Sequence, residues 1–227
     1  MTTSEHRLII TIDGPAGSGK STTAKLLAAR LGYRYLDTGA LYRAVAWKVR
    51  QSGIDPADRE RIAQLVAEID LHVRLKNSTM EVLVDGEEIT ARLREPEISR
   101  LASQVATIPA VRAKLLTLQR ECGKQGGLIA EGRDMGTVVF PHADVKFFLD
   151  ADASIRAMRR YHDQRAPEAG SGDIQTVQEH LVARDTQDQL RSIAPLRPAP
   201  DAVILDSTRL TAEQVVDRML EYIPTHR

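Results

Sequence analysis

A run of small residues that ends in lysine and serine is the sequence feature with the clearest chemistry. The residues Gly14-Pro15-Ala16-Gly17-Ser18-Gly19-Lys20-Ser21 fit the GxxxxGK[ST] pattern of phosphate-binding loops. Glycines let a backbone wrap around phosphate oxygens, and a following helix adds partial positive charge. Lys20 can reach the β- and γ-phosphates of a nucleotide, and the Ser21 hydroxyl can bind Mg²⁺. The run predicts a nucleoside triphosphate site and leaves ATPases, GTPases and kinases open.

Two of these classes make further demands on the sequence. Guanine recognition in GTPases uses an Asn-Lys-x-Asp segment, and the only asparagine here is Asn77, in a short polar link between two apolar segments. The GTPase class therefore lacks a required residue. The ATPase class stays open, because two apolar runs end in carboxylates, Glu131 and Asp150, which could hold Mg²⁺ and position water.

Two other segments could bind a second phosphate. In Asp37-Thr38-Gly39-Ala40-Leu41-Tyr42-Arg43, either of the first two residues can cap a helix, which places Arg43 about one turn inside it. The segment Glu131-Gly132-Arg133-Asp134 follows an apolar run. The carboxyl ends of parallel strands meet at one edge of a sheet, so we expect this segment to share a crevice with the phosphate-binding loop. The alternatives are a capped helix with a solvated arginine and a surface turn with an Arg–Asp pair.

Two arginine clusters follow further along the chain. Arg156, Arg159 and Arg160 share one helix face, and so do Arg184, Asp188 and Arg191, where Asp188 can bridge both arginines. Salt-bridged, solvated faces are the ordinary explanation of such spacing. The alternative is a mobile, arginine-bearing flap that neutralises a transferring phosphoryl group and excludes water.

The elements that position these residues follow from the apolar pattern. Short apolar runs, each bounded by turn residues or charges, alternate with segments of helical periodicity. The runs lie at 8–12, 33–36, 128–130, 145–149 and 202–205, and the helical segments include 21–31, 152–164 and 174–190. This pattern predicts an α/β fold with a parallel sheet flanked by helices.

One stretch breaks that alternation. Residues 71–76 and 80–84 alternate apolar and polar side chains across a three-residue link, which predicts an antiparallel hairpin. We therefore expect a core domain over 1–62 and 97–227, with a lid at about 156–175 and a small inserted subdomain over 63–96.

The bulk composition excludes some partners. The 227 residues carry a formal net charge of zero, so no basic field suggests nucleic acid. No apolar run approaches the roughly 20 residues of a membrane span, and the polar start does not resemble a signal peptide. The single cysteine, Cys122, excludes a disulfide within the chain. We expect a cytoplasmic monomer.

These residues together resemble the bacterial cytidylate kinases over essentially the full chain. The resemblance rests on four stretches, which are 12–21, 37–43, GRDMGTVVFP at 132–141, and Ala194-Pro195-Leu196. The chain departs from the family twice: Thr38 stands where serine is frequent, and Glu131 stands where aspartate is common. A hydroxyl and a carboxylate survive at these positions.

The resemblance implies a P-loop kinase fold, with a five-stranded parallel sheet, a nucleotide-binding insert and a short lid. It also implies transfer of the γ-phosphoryl group of ATP to CMP and dCMP, with Mg²⁺. A kinase for UMP or another small acceptor, and an ATPase without an acceptor, stay open as alternatives.

The resemblance also assigns residues. ATP is expected to contact Gly14, Pro15, Ala16, Gly17, Ser18, Gly19, Lys20, Ser21, Thr22, Arg156, Arg159 and Arg160. The acceptor phosphate is expected at Thr38, Tyr42, Arg43, Arg133 and Arg191, the cytosine at Ser103, Arg112 and Asp134, and the ribose at Arg184 and Asp188. Lys20, Arg43, Arg133 and Arg191 are the expected catalytic residues. Mg²⁺ is expected on Ser21, with Glu131 acting through water.

Overall fold

The main sheet has five parallel strands in the order β2-β6-β1-β7-β8. In the computed structural model, which describes residues 7–164 and 173–224, these strands are β1 Ile9–Asp13, β2 Arg34–Asp37, β6 Leu128–Gly132, β7 Val145–Asp150 and β8 Val203–Asp206. Ile10 and Ile12 of the central strand have no exposed surface, because helices cover both faces of the sheet. The predicted five-stranded α/β fold is confirmed.

Eight α-helices surround the sheets in the described residues. They are α1 Lys20–Leu31, α2 Thr38–Gln51, α3 Arg59–Glu68, α4 Pro96–Val105, α5 Pro109–Gly123, α6 Ala153–Gln164, α7 Ile174–Leu190 and α8 Ala212–Leu220. A 3₁₀ helix covers Thr90–Arg94, and a π-helical turn covers Met135–Val139. No helix in the described part of the chain is long and apolar enough to cross a membrane.

All five parallel strands end one or two residues beyond the carboxyl ends of the apolar runs that predicted them. Asp13 pairs with Gly132 and Asp37 pairs with Glu131, so polar strand ends still belong to the ladder. The difference arises because backbone N–H and C=O groups make the ladder, whereas the apolar pattern reports only side chains. Because the strands extend into these residues, their carboxylates lie together at the edge of the sheet where ligands bind.

The predicted hairpin is confirmed as part of a small antiparallel sheet. Strands β3 Leu71–Leu75 and β4 Met80–Val84 pair along their whole length, and β5 Glu87–Glu88 adds a short third strand. Met80, Val82 and Val84 are buried in the same hydrophobic cluster as the main sheet. The division into a core and an insert at 63–96 stays a prediction. The predicted lid at 156–175 includes residues 165–172, which lie outside the described part of the chain.

Candidate active site

The phosphate-binding loop joins β1 to α1. Gly14 has φ 148°, and a Cβ there would lie 2.0 Å from the carbonyl oxygen of Leu149, so no larger residue fits. Gly19 stands before α1 with φ 93°, in the left-handed region that favours glycine. The loop therefore ends at the amino terminus of α1, where free backbone N–H groups favour an anion.

Lys20 is folded back onto this loop. Its Nζ donates a hydrogen bond to the carbonyl oxygen of Pro15 at 2.5 Å, and the residue is 6% exposed. The pKa of Lys20 falls from 10.5 to about 7, chiefly because the ammonium is buried and also because the Arg133 guanidinium is near. An anion in the loop would favour the charged form of this lysine.

Glu131 forms the floor beside Lys20 and Ser21. Its carboxylate accepts a hydrogen bond from the Tyr35 hydroxyl at 2.6 Å and is buried. Burial raises the pKa of Glu131, as does the neighbouring Asp37, while Lys20 and hydrogen bonding from Ser21 oppose the rise.

This donor set fits Mg²⁺ held jointly with a nucleotide. Magnesium prefers oxygen ligands and usually retains waters and substrate phosphates instead of a cage of protein ligands. Ser21 supplies a hydroxyl beside the Glu131 carboxylate, as such a site requires. The described residues contain no cluster of three or more histidine, cysteine, aspartate or glutamate side chains that could hold a metal alone.

The start of α2 forms the next wall. The Asp37 side chain accepts a hydrogen bond from the Ala40 N–H at 3.0 Å, so the capping role expected of Asp37 or Thr38 falls to Asp37. The same carboxylate pairs with Arg43 at 2.7 Å. Thr38 instead donates its hydroxyl to the carbonyl oxygen of Glu131 at 2.7 Å, which ties α2 to β6.

Asp188 links the β6 loop to the end of α7. Its carboxylate accepts a hydrogen bond from Arg133 Nε at 2.9 Å, and Arg191 Nη1 lies 3.5 Å from it. The expectation that Asp188 bridges Arg184 and Arg191 is half wrong, because no ion pair between 184 and 188 occurs in the residues described. Arg133 comes from another element and takes that place, which helical spacing cannot reveal.

Two buried arginine nitrogens in this region have no hydrogen-bond partner among the described residues. They are Nε of Arg184 and Nη2 of Arg191. The pKa of Arg184 falls to about 10, chiefly because the guanidinium is buried and also because Arg133 is near. Buried donors without acceptors are costly, so this wall favours an incoming anion or other acceptor.

A carboxylate and an aromatic ring flank the far end of the crevice. Arg112 forms a buried ion pair with Asp134, and its guanidinium carbon lies 5.6 Å from the centre of the Tyr42 ring. Arg191 Nη2 lies 4.0 Å from Asp134 Oδ1. Burial raises the pKa of Asp134, whereas Arg112 and Arg191 lower it.

Asp13 supports the site from below the phosphate-binding loop without lining either crevice, and sequence reasoning missed this role. It is 3% exposed and accepts hydrogen bonds from the backbone N–H groups of Met135 and Gly136, both at 2.8 Å. Burial raises its pKa to about 6. An acidic residue directly before the phosphate-binding loop was the available signal, but its partners lie more than a hundred positions away.

The predicted acceptor residues come together in one crevice. All of them line it beside Lys20 and Ser21, and the set is Thr38, Tyr42, Arg43, Ser103, Arg112, Arg133, Asp134, Arg184, Asp188 and Arg191. A second crevice lies on the other side of the loop and includes Gly17 to Thr23, Arg159, Arg160, Ser207, Leu210 and Thr211. Gly17, Lys20, Ser21 and Arg160 line both crevices.

The three arginines of α6 do not share one environment. Arg159 Nη1 donates to Ser207 Oγ at 2.9 Å, and Ser207 donates to the Ser18 carbonyl oxygen at 3.0 Å, so both flank the phosphate-binding loop. Sequence reasoning missed Ser207, although its place after the last strand was a signal. Arg156 lines neither crevice and is paired with Asp185.

A phosphate-binding loop of this type, set between two crevices that arginines line, defines a P-loop phosphotransferase. The crevice with Arg43, Arg133 and Arg191 is called the acceptor crevice, and the crevice with Arg159 and Ser207 is called the donor crevice. The family model described as cytidylate kinase matches residues 10–225. The chain is 44% identical over 215 residues to the cytidylate kinase of Caldicellulosiruptor bescii, covering 95% of each chain. It is 46% identical over 218 residues to that of Syntrophotalea carbinolica, covering 96% of this chain and 92% of the relative. The chain belongs to the cytidylate kinase family and is a nucleoside monophosphate kinase.

The fold is shared more widely. A crystal structure of an uncharacterised protein from Eubacterium ventriosum aligns with a TM-score of 0.55 at 12% identity, covering 97% of this chain and all of that chain. At that identity the likeness shows the fold alone.

Proposed function

We propose that the protein transfers the γ-phosphoryl group of ATP to CMP and dCMP, giving ADP and CDP or dCDP. The observation that carries this proposal is that Arg43, Arg133 and Arg191 line the same crevice as Lys20 of the phosphate-binding loop. Two anionic substrates repel each other, and cations between them offset that repulsion.

Transfer proceeds in line, without a covalent enzyme intermediate. An acceptor phosphate oxygen attacks the γ-phosphorus as the bond to the β,γ-bridging oxygen breaks, and ADP leaves with that oxygen. Lys20 stabilises charge on the β- and γ-phosphates, and Arg43, Arg133 and Arg191 hold the acceptor phosphate. Ser21, and Glu131 through water, would hold Mg²⁺, which would supply further charge stabilisation at the phosphates. Holding both substrates in register provides much of the rate enhancement.

Arg159 and Arg160 act on the donor side. Both line the crevice over the phosphate-binding loop, and Arg159 is held by Ser207. Arg160 also lines the acceptor crevice, so it stands where the transferring group passes between the two substrates. A guanidinium there stabilises charge that develops on the phosphoryl oxygens.

Base selection rests on Asp134 and its neighbours. Cytosine carries an exocyclic amino donor, which a carboxylate accepts, whereas uracil presents a carbonyl oxygen at that position. The buried Asp134, held by Arg112, is fixed in place before the base arrives. A site built around such a hydrogen bond discriminates strongly, because the wrong base leaves buried polar groups opposed.

The first experiment is ADP formation from ATP and Mg²⁺ with CMP, dCMP, UMP, AMP or no acceptor. We expect strong stimulation by CMP and dCMP only. Stimulation by UMP or AMP instead would support kinase activity but contradict the assignment of Asp134 and its neighbours to cytosine recognition. ADP formation that no acceptor changes would favour the ATPase alternative.

The same preparation, analysed by size-exclusion chromatography with light scattering, tests the proposed monomeric state. Cell fractionation tests the proposed cytoplasmic location.

A further inference from the structure

Both hydrogen-bonding groups of the Ala16 backbone are bound by one buried ion pair. The Asp185 carboxylate accepts a hydrogen bond from the Ala16 N–H at 3.1 Å, and Arg156 Nη1 donates to the Ala16 carbonyl oxygen at 3.0 Å. Arg156 and Asp185 are also paired directly with each other. Ala16 lies in the middle of the phosphate-binding loop. The pair therefore binds that loop through its backbone, and neither residue of the pair lines the donor crevice.

The pair connects three separate parts of the chain. Arg156 lies on α6 and Asp185 lies on α7, and the exposed fractions of these residues are 9% and 6%. Arg156 Nε donates to the Ala151 carbonyl oxygen at 3.0 Å, which anchors it at the end of β7. Nε and Nη1 of the guanidinium therefore donate to three protein oxygens, on Ala151, Ala16 and Asp185.

Packing reinforces the same contact. Ala16, Ala157 and Leu181 form a small hydrophobic cluster separate from the main core, with Val177 packed against it. A Cβ on Gly17 would lie 2.7 Å from the Arg156 carbonyl oxygen, so the loop and α6 touch backbone to backbone. Polar and apolar contacts thus fix α6 and α7 to one point of the loop.

The two helices carry the residues of both crevices. Arg159 and Arg160 follow Arg156 on α6, and Arg184 and Asp188 flank Asp185 on α7. A shift of either helix relative to the loop would move donor-side and acceptor-side groups away from each other. A misplacement of about 1 Å in such a site can cost roughly a hundredfold in rate.

We propose that Arg156 and Asp185 are positioning residues, which set the phosphate-binding loop against α6 and α7, and that Arg156 is not a ligand of ATP. The proposal rests on the proposed phosphoryl transfer for its kinetic readout. It replaces the expectation that all three arginines of α6 meet the phosphates.

The test compares Arg156→Ala, Asp185→Ala and the double variant. We expect either single change to lower kcat by about tenfold to a hundredfold, and the double change to cost no more than the larger single loss. The dissociation constant for ATP, measured by equilibrium dialysis, should stay within about threefold. Asp185→Asn, which keeps an oxygen for the Ala16 N–H, and Arg156→Lys should retain more activity than the alanine variants.

The competing explanations give different signs. If Arg156 binds ATP, Arg156→Ala should weaken ATP binding at least tenfold, while Asp185→Ala should leave it unchanged or tighten it, because a carboxylate near the phosphates is lost. That result overturns the proposal. A lower melting temperature with unchanged kcat in every variant also overturns it, because the pair would then serve stability alone.

Matched controls come from Arg30 and Asp217, an exposed pair between α1 and α8. Alanine at either position should leave kcat unchanged. Hydrogen exchange of the loop peptide containing Ala16 provides a readout that needs no turnover, and it should be faster in Asp185→Ala than in Asp217→Ala. If the wild type does not phosphorylate CMP, the proposed function fails, but this exchange still tests whether Arg156 and Asp185 hold the loop against α6 and α7. Equal exchange in the two variants would refute that positioning role.

Discussion

The carboxylate of Asp13 accepts a 2.8 Å hydrogen bond from the backbone N–H of Gly136, across 123 positions of sequence. The other carboxylate oxygen holds the N–H of Met135 at the same distance. Asp13 ends β1 directly before the phosphate-binding loop, and Met135 follows Asp134 of the acceptor crevice. One side chain thus sets the spacing between the two halves of the site.

Asp13→Asn should damage both stability and catalysis. The amide can accept only one of the two backbone N–H bonds, so a buried donor loses its partner at a cost of about 1–3 kcal/mol in the free energy of unfolding. We expect kcat/KM for CMP to fall about tenfold, because the loop with Arg133 and Asp134 moves. Urea denaturation and steady-state kinetics measure the two effects. Asp150→Asn, at another strand end but exposed, is the control and should change neither; a wild-type kcat/KM in Asp13→Asn would contradict the linkage.

Arg133→Ala and Arg191→Ala should each lower kcat/KM with CMP. A charge-assisted contact to phosphate contributes roughly 1.5–3 kcal/mol, which corresponds to about tenfold to a hundredfold in rate. Arg30→Ala, in an exposed pair that lines neither crevice, should behave as wild type. Wild-type values for both crevice variants would remove these arginines from the acceptor site.

Asp134→Asn should weaken the preference for cytosine over uracil. The neutral amide no longer offers two anionic oxygens to the exocyclic amino group, and its own N–H can face a uracil carbonyl oxygen. We expect kcat/KM for CMP to fall about tenfold to a hundredfold while that for UMP falls less or rises. The ratio of the two constants is the measurement, and thermal unfolding checks that the loss of the Arg112 ion pair leaves a folded protein. An equal loss on both bases would place Asp134 outside base recognition.

Lys20→Met should change how stability depends on pH. The pKa of Lys20 falls from 10.5 to about 7 in the folded state because the ammonium is buried. Between those values the unfolded chain binds the proton and the folded chain releases it, so this residue makes the free energy of unfolding rise with pH. Below pH 7 the folded state carries the full cost of the buried charge.

The methionine variant removes that cost along with catalysis. We expect Lys20→Met to be more stable than the wild type at pH 7, with a smaller advantage at pH 9, and to lose nearly all phosphoryl transfer. Urea denaturation at the two pH values gives the free energy of unfolding of each protein. The contributions of other titrating groups cancel when the wild-type value is subtracted from the variant value at each pH. Parallel pH dependence in wild type and variant would show that Lys20 keeps its ordinary pKa.

The sequence alone determined the parts of the protein whose signals are local. The phosphate-binding loop depends on glycines at fixed positions, and the parallel sheet depends on apolar runs between helical segments. The hairpin at 71–84 followed from period-two alternation for the same reason. The strand ends did not follow from the apolar pattern, because ladder pairing is a property of the backbone and continues into Asp13 and Asp37.

Only the tertiary structure decided which charges meet. Spacing along α7 put Asp188 between Arg184 and Arg191, but the fold pairs it with Arg133 and Arg191. Spacing along α6 grouped Arg156 with Arg159 and Arg160, although Arg156 pairs with Asp185. A charged side chain on a helix can pair with any element that packs nearby, and the nearest partner minimises the cost of burying it. That partner is set by strand order and helix packing, which no local pattern in the chain records.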